Sequence, residues 1–164
     1  MSEDETKNVA PQVIKPPMTL QAKVEKGGPG AVDLKALEKA ESVIANLADE
    51  YLKWVQEDFL RLEKAFNVLK SGEGDVTQNL DNIFQIAHDM KGQGGSFGYD
   101  LMTAIGDQLC RLVEKMTKAG PREQEMIRVH IDAMRVIITK NLKGDGGNEG
   151  RQLLMGLQLV SGKL

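Results

Sequence analysis

Between Asp33 and Ser71 the sequence contains no proline and no glycine, and its apolar residues fall at three- and four-residue steps. Leu37, Ala40, Ile44, Leu47, Ala48, Tyr51, Val55, Phe59, Leu62, Phe66 and Leu69 recur in this way. At about 100° per residue these positions form one stripe down one face, the pattern of a helix and not of a strand. Asp33 suits the N-cap, since a carboxylate there accepts from the free N–H groups of the first turn. A continuous helix over this span is roughly 55 Å long at about 1.5 Å per residue, more than a small bundle requires. It therefore overhangs its neighbours or bends into two helices, and the lack of a breaker favours the overhang. A stripe of this kind must be buried against other elements, so it commits the rest of the chain to covering it.

The remainder of the chain is also helical in pattern. Ser71-Gly72-Glu73-Gly74-Asp75 reads as a loop, and a second helix begins near Thr77 with Leu80, Ile83, Phe84 and Ala87 inward, running into His88-Asp89-Met90-Lys91-Gly92. A third spans about Asp100 to Thr117, with Leu101, Ile105, Leu109, Leu112 and Met116 on one side. Gly120-Pro121 breaks the chain, and Pro121 fits the first turn of a fourth helix reaching Asn141. Its expected inner face is Met126, Val129, Ala133, Val136 and Ile137. After a glycine loop from Gly144 to Gly147, Leu153, Leu154, Leu157 and Val160 mark a short amphipathic piece over about 148–160. No segment alternates with period two. The expected class is all-α, an antiparallel four-helix bundle with a long first helix and a short extra C-terminal helix. The bundle is expected over 33–143, with the glycine loop and C-terminal helix over 144–164. Residues 1–32, interrupted by Pro11, Pro16, Pro17 and Pro29, read as a disordered tail with too little apolar surface to offset the entropy of ordering it.

Charge and composition narrow the function. With 21 basic against 24 acidic residues the formal net charge is -3, which argues against a surface made for nucleic acid or anionic lipid. The single cysteine, Cys110, forms no internal disulfide and allows no Cys-His metal spacing. It lacks a cationic cluster nearby in sequence and reads as a buried small side chain. No apolar run approaches the roughly 18 residues that span a bilayer, and Met1 to Lys15 lack a signal peptide's apolar stretch. A cytoplasmic protein is expected. The glycine-rich runs at 92–98 and 144–150 lack both the Gly-Lys-Ser/Thr ending and the Gly-x-Gly-x-x-Gly spacing of nucleotide loops, so autonomous kinase activity is not expected. Met90, Met102, Met116, Met126, Met134 and Met155 suit gap-filling in a core or on a partner surface.

The informative segment is His88-Asp89-Met90-Lys91-Gly92-Gln93-Gly94-Gly95-Ser96-Phe97-Gly98. Glycine inside a helix costs about 1 kcal/mol against alanine, so Gly92, Gly94 and Gly95 together imply backbone exposure or a neighbour's close approach. On a helical projection His88 falls roughly 90° from the centre of the apolar stripe, at the edge of the buried face. Gly92 and Gly95 project to its side and leave the ring without flanking bulk, while Lys91 at i+3 brings an ammonium alongside. A neutral imidazole is a competent nucleophile, and phosphoryl transfer asks mainly for in-line positioning and stabilisation of charge on the equatorial oxygens. These residue types suit a phosphate-accepting histidine. Asp89 is adjacent on the helix and points away, so no His-Asp dyad is expected. His130, in the fourth helix, has no comparable setting and reads as structural.

His88-x-x-Lys91-Gly92 with Gly98 ten residues after the histidine resembles the signature of the histidine-containing phosphotransfer (HPt) domains of phosphorelays. The resemblance covers roughly Val43 to Asn141 and is strongest from Ile86 to Glu114. It implies that His88 takes a phosphoryl group from a receiver-domain aspartate and passes it to another receiver, or drains it. Lys91 would then screen the phosphate, and Gly92, Gly95, Gln93 and Gly98 would lie where a partner docks. The implied partners are response-regulator receiver domains, a hybrid histidine kinase, or both. Magnesium would belong to the receiver, so no cofactor or metal is assigned to this chain. Many members carry a polar side chain on the next helix that bonds the imidazole or phosphate. Counting from the motif glycine puts Cys110 near that place, with Gln108 the nearest polar candidate and Gln93 another. The competing expectation is a non-catalytic helical scaffold that binds receivers or self-associates through the first helix.

Overall fold

The computed structural model describes residues 34–161. The expected tail at 1–32 and the N-cap at Asp33 lie outside them, as do the last three positions of the chain. Five helices follow one another, and there is no strand among the described residues: α1 (Leu34–Ser71), α2 (Val76–Ser96), α3 (Asp100–Glu114), α4 (Pro121–Thr139) and α5 (Gly147–Ser161). The chain is an all-α helical bundle.

Residues 34–42 and residues 43–161 belong to separate units. In the first, residues 34–42 are helical and exposed. In the second, Val43, Ile44 and Leu47 of α1 are also exposed. The buried part of the α1 stripe begins at Tyr51 and continues through Val55, Phe59, Leu62, Phe66 and Leu69. Within the second unit α1 runs unbroken to Ser71, with its first apolar positions exposed and the later ones buried.

These α1 side chains share one core with Leu80, Ile83 and Ala87 of α2, Leu101, Met102, Ile105 and Leu109 of α3, and Ile127, Met134 and Ile137 of α4. Each fully buried side chain of this size stabilises the fold by about 1.5–3 kcal/mol relative to exposure. The Tyr51 ring stacks on Phe97 with centroids 4.5 Å apart, and burial pushes its phenol up to about 12. On the outer surface, Arg135 of α4 lies over the Phe59 ring and pairs with Glu63, tying α4 to α1. The C-terminal segment packs on the bundle. Gly144 donates its backbone N–H to the Gly98 carbonyl at 2.7 Å, Tyr99 donates its hydroxyl to Asn141 at 2.8 Å, and Leu157 of α5 is buried.

The inner face of α4 differs from the sequence expectation. Val129 and Val136 are half-buried, whereas Ile127, His130, Ile131 and Met134 are buried. With apolar residues around most of its circumference, α4 carries no sharp stripe, and its neighbours decide which side faces inward. Of the six methionines singled out, Met90, Met102, Met126 and Met134 are core, Met116 is half-buried and Met155 is exposed.

His130 is fully enclosed and its Nδ1 lies 2.8 Å from the Met126 carbonyl oxygen. A carbonyl only accepts, so Nδ1 carries the proton and Nε2 is left as a buried lone pair without a partner. Charging this ring would strand a cation in the core, and burial accordingly pushes its pKa below the ordinary imidazole value. The unfolded chain binds a proton at this residue below about pH 6.5, while the folded chain resists until lower pH. Acidification through that window therefore favours unfolding, by at most about 1.4 kcal/mol per pH unit from this group. Urea unfolding midpoints should fall between pH 7.5 and 5 more steeply for the wild type than for His130→Leu. Equal slopes would show that the imidazole is not held neutral by burial.

Candidate functional site

The start of α2 is set by Asp75, whose carboxylate accepts from the Gln78 N–H at 3.0 Å, an N-cap worth about 1 kcal/mol. From there α2 stays helical through all three interior glycines and ends at Ser96. Gly98 then adopts a φ of 77°, a left-handed conformation that side chains rarely accept, and α3 returns alongside α2.

The antiparallel register of α2 and α3 follows from a series of contacts. The Cys110 thiol lies 3.9 Å from the Phe84 carbonyl oxygen. A Cβ built at Gly106 would stand 2.9 Å from the Lys91 Cβ and 3.5 Å from the Ala87 carbonyl oxygen. The Thr103 hydroxyl donates to the Lys91 carbonyl at 3.0 Å. A Cβ at Gly94 would collide with Met102, 2.6 Å away. Gly106 and Gly94 are thus positions where α2 and α3 leave no room for a side chain, and the turn from Ala87 to Lys91 is held directly by α3.

On that turn His88 is exposed, and its ring stacks on the half-buried Phe84 with centroids 5.9 Å apart and planes 23° from parallel. Among the described residues none hydrogen-bonds a ring nitrogen of His88. Lys91 and Gly92, three and four residues on, project to the same side of the helix. A side chain at Gly92 would meet nothing within 4 Å. Gly95 continues this face, but a Cβ there would come within 3.0 Å of the Thr103 hydroxyl, so it borders α3. The latch between the C-terminal segment and the bundle falls at Phe97 to Leu101, about 13 Å along α2 from His88 at about 1.5 Å per residue.

The Lys91 ammonium is held by Asp107 of α3 at 3.0 Å, and the other carboxylate oxygen of Asp107 is 2.8 Å from the Arg111 guanidinium. The hydrogen bond from Lys91, with help from Arg111, keeps the Asp107 carboxyl below its ordinary value. Asp107 is the residue that sequence reasoning missed. Its i, i+4 pairing with Arg111 is visible in sequence, but its reach to Lys91 depends on the helix register.

The remaining candidates separate. Cys110 is buried, and desolvation pushes its thiol up, which keeps it protonated and inert. Gln108 is half-buried and makes no hydrogen bond to His88 or Lys91, and Gln93 sits about 140° around α2 from His88. Among the described residues neither side chain is bonded to the imidazole or to Lys91. The α3 side chains that do reach this turn of α2 are Thr103 and Asp107. No group of His, Cys, Asp or Glu capable of holding a metal ion occurs among the described residues.

Comparison with known families matches residues 46–139 to the Hpt domain, more than half of the chain. No curated protein and no solved structure matches it.

The two kinds of glycine on α2 have opposite stability consequences. Gly94→Ala should cost about 1–3 kcal/mol, because the added methyl displaces Met102 at a backbone contact. Gly92→Ala enters open space and should leave stability unchanged or raise it by up to about 1 kcal/mol. Thermal or urea unfolding of the two variants checks the pair, and equal destabilisation would contradict the division.

Proposed function

Because this chain belongs to the Hpt domain family, whose role is histidine phosphotransfer in phosphorelays, we propose that His88 is its phosphoacceptor. One observation carries the assignment: an exposed imidazole, unbonded at both nitrogens, shares one face of α2 with Lys91 and an open glycine. The other histidine, His130, is sealed in the core and unable to meet a partner.

In the proposed step a ring nitrogen of His88 donates its electron pair to the phosphorus of a receiver's aspartyl phosphate. The bond from phosphorus to the aspartyl oxygen breaks, and its pair leaves on the receiver's carboxylate. The proton on the other imidazole nitrogen stays in place. Return to a second receiver reverses these events on its aspartate, and delivery to water drains the phosphate. Positioning supplies most of the catalysis in such a transfer. The Phe84 stack orients the ring, Lys91 offers positive charge to the phosphoryl oxygens, and the empty space over Gly92 admits the bulk of a receiver. Gly95 extends the docking face along α2. Gly98 acts through the turn that sets α3 against α2, and Gln93 is placed to meet only the edge of a docked partner.

The chain supplies no kinase chemistry of its own in this reading. Its partners are receiver domains, free or within a hybrid histidine kinase, and magnesium enters with the receiver. The reaction belongs in the cytoplasm, where such receivers work. Among the described residues no helix is long and apolar enough to cross a membrane.

The test is incubation with phosphorylated receivers at short times, followed by assay for acid-labile, base-stable phosphate. Wild type should take up phosphate, and His88→Gln should take up none while keeping its helix content. Gly92→Leu should fold normally and transfer on the order of 10- to 100-fold more slowly, because obstruction shifts the reacting groups from line. A wild-type chain inert toward every cognate receiver would replace this assignment with a non-catalytic scaffold.

A further inference from the structure

A lysine that steadies a phosphoryl group has to be available when that group arrives, and here it is already engaged. The Lys91 ammonium sits 3.0 Å from Asp107, with side-chain exposures of 26% and 34%, so the pair is partly screened by water and can open without a large desolvation penalty. Asp107 also has an alternative partner. Its second oxygen is 2.8 Å from Arg111, itself well exposed, so the carboxylate keeps a cation when Lys91 leaves. The lysine backbone cannot shift to compensate, because Thr103 bonds its carbonyl and Gly106 packs against its Cα and Cβ. Only the flexible end of the side chain moves. A pivot toward His88, three residues earlier on the same face, exchanges one anionic partner for another.

We propose that Asp107 competes with the phosphoryl group on His88 for the Lys91 ammonium and thereby sets the lifetime of the phosphorylated state. The inference rests on His88 being the phosphoacceptor. In the resting chain Lys91 is parked on Asp107. A dianionic phosphoryl group draws it away, and Asp107 falls back on Arg111. Hydrolytic loss of the phosphoryl group expels the imidazole with electron density pushed from the phosphoryl oxygens, and an ammonium bound to those oxygens withholds it. A cation on those oxygens therefore stabilises the bound state more than the transition state and slows hydrolysis. Every fraction of the time that Asp107 retains Lys91 shortens the lifetime. Asp107 is thus a positioning residue that tunes how long the chain holds its phosphate.

The experiment loads the full chain with phosphoramidate, a small donor that needs no receiver, removes the donor, and follows decay of acid-labile phosphate. Asp107→Asn removes the competing charge with little change in shape. It should lengthen the half-life about two- to fivefold, the range expected for a partly exposed ion pair. The same substitution in a Lys91→Ala background should change nothing, and Lys91→Ala alone should shorten the half-life. Helix content and melting temperature check the fold, and Asp107→Ser serves if Asp107→Asn does not fold. An unchanged half-life in the wild-type background overturns the proposal, as does an equal gain without Lys91, which would mean a general field effect. Either result leaves His88 as the acceptor. A wild-type chain that neither phosphoramidate nor a receiver can load removes that assignment, and the competition with it.

Discussion

The close approach of two helix backbones, α2 and α3, supports everything else at the candidate site. Two missing side chains permit it. Gly94 admits Met102, and Gly106 admits Lys91 and the Ala87 carbonyl. A helix interior with glycines is intrinsically weaker by about 1 kcal/mol at each, and burial of the intervening Met90, Met102 and Ile105 offsets that loss. The contact fixes which turn of α2 lies over which turn of α3. It therefore fixes that Thr103 meets the Lys91 carbonyl and that Asp107 meets its ammonium. The rim of the bundle at His88 gains a rigid base without any side chain covering the imidazole.

Much of this organisation was legible in sequence because it depends on local rules. The five helices, their order and most of their ends follow from apolar spacing and from the breaks at Gly72–Gly74, Gly120-Pro121 and Gly144–Gly147. The position of His88 at the edge of the α2 stripe follows from the same projection. The features that were not legible depend on rotation and register. The α4 face turned inward differs because a helix apolar on most sides receives its orientation from its neighbours. Gly92, Gly94 and Gly95 look alike as letters, yet one faces open space, one receives a methionine and one borders a hydroxyl. The reach of Asp107 to Lys91 was not legible because counting residues from a motif does not say which side of α3 points at α2. The tail at 1–32 lies outside the described residues.

The distribution of polar contacts separates construction from chemistry. Tyr99, Asn141, Lys143 and the backbones of Gly98 and Gly144 tie the C-terminal segment to the α2–α3 turn. All of these lie well along α2 from His88, so α5 adds burial to the bundle without closing the face that a partner would need. The titratable groups divide in the same way. His130 and Cys110 are buried in their neutral forms, whereas Lys91, Asp107 and Arg111 are charged, partly hydrated and mutually adjacent. Around Lys91 the charges sit where water can help them rearrange.

Rearrangement of charge would serve the proposed transfer only if the proposed acceptor, His88, does not wander, and the Phe84 stack restrains its ring. An exposed imidazole on a helix samples several rotamers, and each must be lost when a partner docks. Stacking on a half-buried aromatic ring selects one family of orientations in advance, at a spacing where ring pairs contribute about 0.5–1.5 kcal/mol. Phe84 is steadied in turn, since its backbone faces Cys110 of α3. The ring is thus held from the preceding turn, while in the proposed competition the ammonium swings from the following one. A site built this way would combine a fixed acceptor with an adjustable counter-charge. That combination suits a transfer whose barrier depends on geometry and whose product lifetime depends on electrostatics.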